Sequence, residues 1–131
     1  MSLRDKILNA DDITVEPVDI PEWGVTVAVK GLTVGEQRRF LKTVRKRTGT
    51  PQDTPEIDSD KMQIQLFIAC VYDPDDMKTP MFEQADAQAL QAKSARAMLR
   101  VFKVAAKLSG LGDDDDEVMD ELKAMASDES S

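Results

Sequence analysis

Apolar residues recur at two different spacings along this chain, and the switches between them outline its elements. Val25, Val27 and Val29 alternate with their neighbours at the two-residue period of a half-buried strand. Upstream, residues 13–18 (ITVEPV) read as its partner, held to a sheet edge by Pro17, which has no amide hydrogen to donate. Asp19 to Gly24, with Pro21 and Gly24, supplies the turn of a β-hairpin near 13–30. Two strands alone are marginal, so the hairpin must pack against helices. Beyond it the period lengthens. Val34, Gln37, Phe40, Leu41 and Val44 share one arc of a helix, opened by Thr33 and Glu36 as a capping box and predicted to reach about Arg47. Residues 48–60 (TGTPQDTPEIDSD) read as a loop. A third helix is predicted from Ser59 or Asp60 through Val71, apolar all round in its second half and stopped by Asp73-Pro74. A helical turn over Glu83–Leu90 follows. The longest predicted helix runs from Ala95 to Leu108, capped by Ser94 and ended by Gly110 in the left-handed position. Ser2 could cap a short N-terminal helix bearing Leu3, Ile7 and Leu8 on one face.

The pattern predicts a mainly α fold with a small N-terminal β-hairpin, an α+β body. Charge divides it further. The 131 residues carry a net charge of −8, yet residues 1–112 hold 16 acidic and 16 basic groups and are neutral. Residues 113–131 hold nine acidic groups and one lysine, so the acidity belongs to a C-terminal tail. The expected organisation is a body over 1–112 and an acidic tail over 113–131, helical or disordered. Within the tail, Val118, Leu122 and Met125 form a stripe too short to fold alone. It must pack on its own body or lie in a partner's groove.

Composition removes most chemistry. There is no histidine, so neither Ser-His-Asp nor Cys-His catalysis nor an imidazole metal ligand can be built. Cys70, the single cysteine, sits in an apolar run and reads as a buried structural thiol. The aspartates at 73, 75, 76 and 113–116 lack the spacing of a calcium loop. Gly31 and Gly35 flank a strand-to-helix turn without a phosphate-binding pattern. No catalytic residue, metal or cofactor is expected. The longest apolar run, Leu66 to Tyr72, is too short to span a membrane, and charges interrupt the N-terminus where a signal peptide would be apolar. A cytoplasmic protein is the expectation.

Three features remain as candidate partner-binding residues: Trp23 in the hairpin turn, the basic arc of Arg38, Arg39, Lys42, Arg45 and Lys46, and the tail stripe of Val118, Leu122 and Met125. Trp23 suits a binding anchor or a cap over the hairpin equally well. The basic arc reads first as a solvated face, and the opposed charges suggest contact with the tail, in the same chain or a neighbour.

The ordered motifs resemble a known family, the tail assembly chaperones of long-tailed, siphovirus-type bacteriophages. The matching residues are Ile20-Pro-Glu-Trp-Gly24, then Val27-Ala-Val-Lys-Gly-Leu-Thr-Val-Gly-Glu36 with Arg39-Phe40. The second half matches in Val71-Tyr-Asp73, Pro80-Met-Phe82, Ala85-Asp86, Leu90, Lys93-Ser-Ala95 and Leu108-Ser-Gly-Leu111. The resemblance implies a non-enzymatic protein of the host bacterial cytoplasm, left out of the mature virion. It implies binding and solubilising the tape measure protein and helping to recruit the major tail tube protein. A longer form made by ribosomal frameshifting joins the implied partners, and a homo-oligomer is left open. Neither a membrane nor a specific nucleic acid does. The competing reading is an acidic, DNA-mimicking regulator that blocks a nucleic-acid-binding partner.

Overall fold

Strand β1 (Val15–Ile20) pairs antiparallel with β2 (Val25–Lys30), Val18 opposite Val27 and Ile20 opposite Val25. This computed structural model describes residues 2–46 and 56–129, without the side chains of Lys46 and of 127–129. The strand order places β2 between β1 and a short strand at Val71–Tyr72, which leaves β1 with Pro17 at the edge as its sequence requires. The hairpin turn closes through Trp23 N–H donating to the Ile20 carbonyl at 3.0 Å, with Gly24 at φ +65°. A left-handed residue there favours glycine, because a Cβ would crowd the following carbonyl.

Helix α2 (Val34–Val44) starts on the predicted capping box. Thr33 Oγ1 accepts from Glu36 N–H at 3.2 Å, and Glu36 Oε1 accepts from Thr33 N–H at 2.9 Å. It ends three residues before the predicted Arg47. Arg45–Lys46 instead form β3, paired with β4 (Glu56–Ile57). The predicted loop is thereby corrected at its end, since Glu56 and Ile57 are strand and Ile57 is buried. Its remainder at 48–55 lies outside the described residues.

Helix α3 (Ser59–Cys70), capped by the Asp58 carboxylate, is the buried centre of the molecule. Leu66, Phe67 and Cys70 are completely buried, which explains why its apolar residues show no single face. The helix stops at Cys70 rather than Val71. Val71–Tyr72 become β5, pairing Val29 and Ala28 and adding a third strand that the hairpin pattern did not predict. A 3-10 turn (Gln84–Asp86) leads into the short α4 (Ala87–Gln91). Helix α5 (Ala95–Leu108) crosses α3 and the hairpin, burying Met98, Val101, Phe102 and Ala105. Ser94 caps its start and Gly110, at φ +71°, ends it. Leu111 N–H returns to the Ala106 carbonyl at 2.9 Å and Gly110 N–H to Lys107 at 3.1 Å, the paired closure of a Schellman motif.

The end of β2 meets the end of α5. A Cβ on Gly31 would lie 2.6 Å from the Leu108 carbonyl oxygen, so only glycine permits this approach. Ser109 Oγ accepts from Leu32 N–H at 3.1 Å beside it.

Helix α6 (Asp115–Glu129) begins under Asp114, whose carboxylate accepts from Glu117 N–H at 2.8 Å. Val118, Leu122 and Ala126 are fully buried in the same cluster as α3 and α5. Of the two arrangements open to the stripe, packing on its own body is the one present. Helix α1 (Leu3–Leu8) is different. Ser2 caps it as predicted, yet none of its residues is buried, and Leu3, Ile7 and Leu8 are 74%, 64% and 65% exposed.

Candidate partner-binding surfaces

Trp23 lies half-buried with its ring edge-on to Phe67, centroids 6.0 Å apart at 83°. Phe67 in turn contacts Phe82 at 5.3 Å. Edge-to-face packing of this kind suits the positive rim and negative face of aromatic rings. The hairpin turn is thus tied down by its tryptophan, which covers the core. Its neighbour Glu22 adds a second tie. Arg100 Nη1 and Nη2 donate to the two Glu22 carboxylate oxygens at 2.5 and 3.0 Å. These bonds hold the Glu22 carboxyl below its ordinary value and raise the Arg100 guanidinium.

Arg38, Arg39 and Lys42 stand exposed on the outer side of α2, while Phe40, Leu41 and Val44 face inward. Arg45 is half-buried at the start of β3, so the basic arc bends where the helix ends. The Lys46 side chain lies outside the described residues. Acidic residues Asp113 to Glu117, Asp120 and Glu121 are likewise exposed along the outer side of α6. Among the described residues, the expected pairing of Arg38, Arg39 or Lys42 with these acids does not occur. Asp115 instead accepts from the Gln63 side chain at 3.1 Å.

The tail stripe is spent on the body. Val118 and Leu122 have no exposed surface and Met125 is half-buried against the core, so in this arrangement they present little to a partner. The structure does not gather Trp23, the basic arc and the stripe into one site.

A groove of about 380 Å³ has no contiguous signature in the sequence. Phe40, Ile68, Ala69 and Phe82 line it, with Glu36 and Arg39 among its charged groups. Gln65, buried on α3, and Gln84 exchange side-chain hydrogen bonds of 2.9 and 2.6 Å at this groove. Gln65, a glutamine within the otherwise apolar half of α3, is the available sequence signal, because a buried amide needs a partner. Cys70 is no reactive group: burial pushes its thiol up to about 12. Among the described residues, no three or more acids or thiols are placed to hold a metal, and no helix is long and apolar enough to cross a membrane.

Residues 2–124 match the model of a protein family described as phage tail assembly chaperone. The chain belongs to that family. A solved structure of the bacteriophage HK97 tail assembly chaperone shares the fold, at a TM-score of 0.50 and 19% identity, covering 80% of this chain and 95% of that one. No curated protein matches the chain. The family implies protein partners in tail assembly. In this tail assembly chaperone, the exposed features available to them are the apolar face of α1, the basic side of α2, the groove and the acidic side of α6.

Proposed function

We propose that this chaperone binds and solubilises the tape measure protein in the host bacterial cytoplasm and helps recruit tail tube subunits, then leaves before the virion is complete. The observation that carries the reading is family membership across nearly the whole chain. Unpartnered apolar surface supports it: three large apolar side chains on α1 and a groove lined by Phe40, Ile68 and Phe82 suit transient contact with apolar segments of a long helical protein. The protein acts by binding, without bond-making chemistry of its own, and the protonated, buried Cys70 thiol agrees with this. A frameshifted longer form is a further partner under this reading.

Co-expression with the tape measure protein of the same phage tests it. A soluble complex of the two supports the proposal. A tape measure protein that stays insoluble at every ratio, with no complex recovered, removes it. The acidic, DNA-mimicking alternative finds its acids on the outer side of one helix. Capture of a nucleic-acid-binding protein in place of tail proteins would favour it.

A further inference from the structure

The groove and the basic side of α2 form one continuous surface. Going round α2 from the core outward, Phe40, Glu36, Thr43 and Arg39 succeed one another along the groove wall, and Lys42 and Arg38 follow. Arg39 thus belongs to both: it lines the groove and leads the exposed basic row. None of these three cations has an ion pair among the described residues. Across the groove the sign changes, with exposed Glu83 beside Phe82. Glu36, the other acid here, is engaged in the capping box, its Oε1 accepting from Thr33 N–H at 2.9 Å. The α3 wall is Ile68 and Ala69 one turn after Gln65, whose amide is already closed against Gln84. What this leaves to fill is apolar. About 380 Å³ lies at the small end of the roughly 300–1,000 Å³ of ligand pockets, room for the side chains of one helical turn and not for a whole helix.

We propose that this surface docks an amphipathic helix of another protein, its large apolar side chains inserted between Phe40 and Phe82 and its carboxylates facing Arg39 and Lys42. The assignment rests on the function proposed above, under which that helix is an acid-flanked segment of the tape measure protein. Charge complementarity selects it, since carboxylates on that flank meet cations that nothing in the described chain neutralises. Other occupants lack the combination. Helix α6 is acidic, but Val118 and Leu122 are buried in the core, so it has neither of these side chains to insert. Helix α1 exposes Leu3, Ile7 and Leu8 but carries Arg4 and Lys6 against Asp5, which would set cations against a basic rim. Duplex DNA brings the negative charge without an apolar side chain.

Fluorescence anisotropy of labelled helical peptides with the full chain tests the surface. The probes are a leucine-striped peptide flanked by glutamate, its lysine-flanked counterpart, and the glutamate peptide with serine in place of leucine. The first should bind about tenfold or more tightly than the other two, and should lose about tenfold between 50 and 500 mM sodium chloride, since screening acts on exposed charges. R39E/K42E should reverse the preference between the glutamate and lysine peptides. T43W, which sets a large ring at the groove from an exposed position, should weaken both leucine peptides about tenfold. Circular dichroism confirms that both variants fold; should either fail, R39A and T43F take their place. Equal binding of the three peptides, a preference that R39E/K42E leaves unchanged, or a basic rim that takes up short duplex DNA and none of the peptides would each overturn the proposal. Co-expression with the tape measure protein separates this site from the function it serves. Variants that lose the soluble complex support the site. Variants that keep it as wild type does overturn the site and leave the function standing, whereas wild-type protein that forms no complex removes both.

Discussion

Single residues set how tightly the hairpin is tied to the helices. Gly31 has no room for a methyl group, with the Leu108 carbonyl oxygen 2.6 Å from where its Cβ would stand. Gly31→Ala should therefore cost about 1–3 kcal/mol by pushing β2 from the end of α5, read as a lower urea midpoint. Wild-type stability would show that the two ends part without cost. Glu22 gives the region a pH dependence. Its folded-state carboxyl titrates below its ordinary value of 4.5, chiefly through the bonds from Arg100. The resulting stability is fully present above 4.5 and is lost as pH falls through the folded value. Glu22→Gln should accordingly lower the melting temperature at pH 7, with the gap to wild type closing as the solution is acidified below 4.5. A gap constant with pH would remove the ion pair from the account. Cys70 offers a third check. With its thiol pushed up to about 12 and its side chain buried, iodoacetamide at pH 8 should label it only after unfolding.

At the scale of elements, the sharpest consequence concerns α6. If Val118, Leu122 and Ala126 belong to the common core, Leu122→Ala should cost about 2–5 kcal/mol in global unfolding, as deletions at buried leucines do. A loss below about 0.5 kcal/mol would mean that α6 lies loose. Local signals in the sequence located most helix ends, because a cap is made by neighbours. Thr33 with Glu36, Ser94 and Gly110 each act within one turn of the residue they satisfy. The short strands were not legible. Val71–Tyr72 extend an apolar helix by pattern, and they become β5 only because β2 lies alongside to accept the pairing. Arg45–Lys46 likewise leave the helix to pair with Glu56–Ile57 across a long separation. The α6 stripe could not be assigned from sequence, since the same three positions suit a partner's groove or the chain's own core.

For the whole molecule, residues 1–112 are neutral and the net charge of −8 lies within residues 113–131. Asp115 to Glu117, Asp120 and Glu121 line the outside of α6, whose inner side belongs to the common core. Apolar surface stays exposed elsewhere, on α1 and along the groove beside α2. Family and function class were legible through the order of short motifs, which local chemistry constrains at turns such as Ile20–Gly24 and Leu108–Leu111. The binding surface was not, because the groove is assembled from α2, α3 and residues 80–84, and no contiguous stretch contains it. Holding the tape measure protein in solution is the central activity proposed for this chain. The direct measurement is light scattering as denatured tape measure protein is diluted into buffer with increasing amounts of this chaperone. Scattering should fall to the buffer level at a fixed molar ratio, with both proteins eluting together on gel filtration. Scattering unchanged at every ratio, with the chaperone eluting alone, would contradict the account.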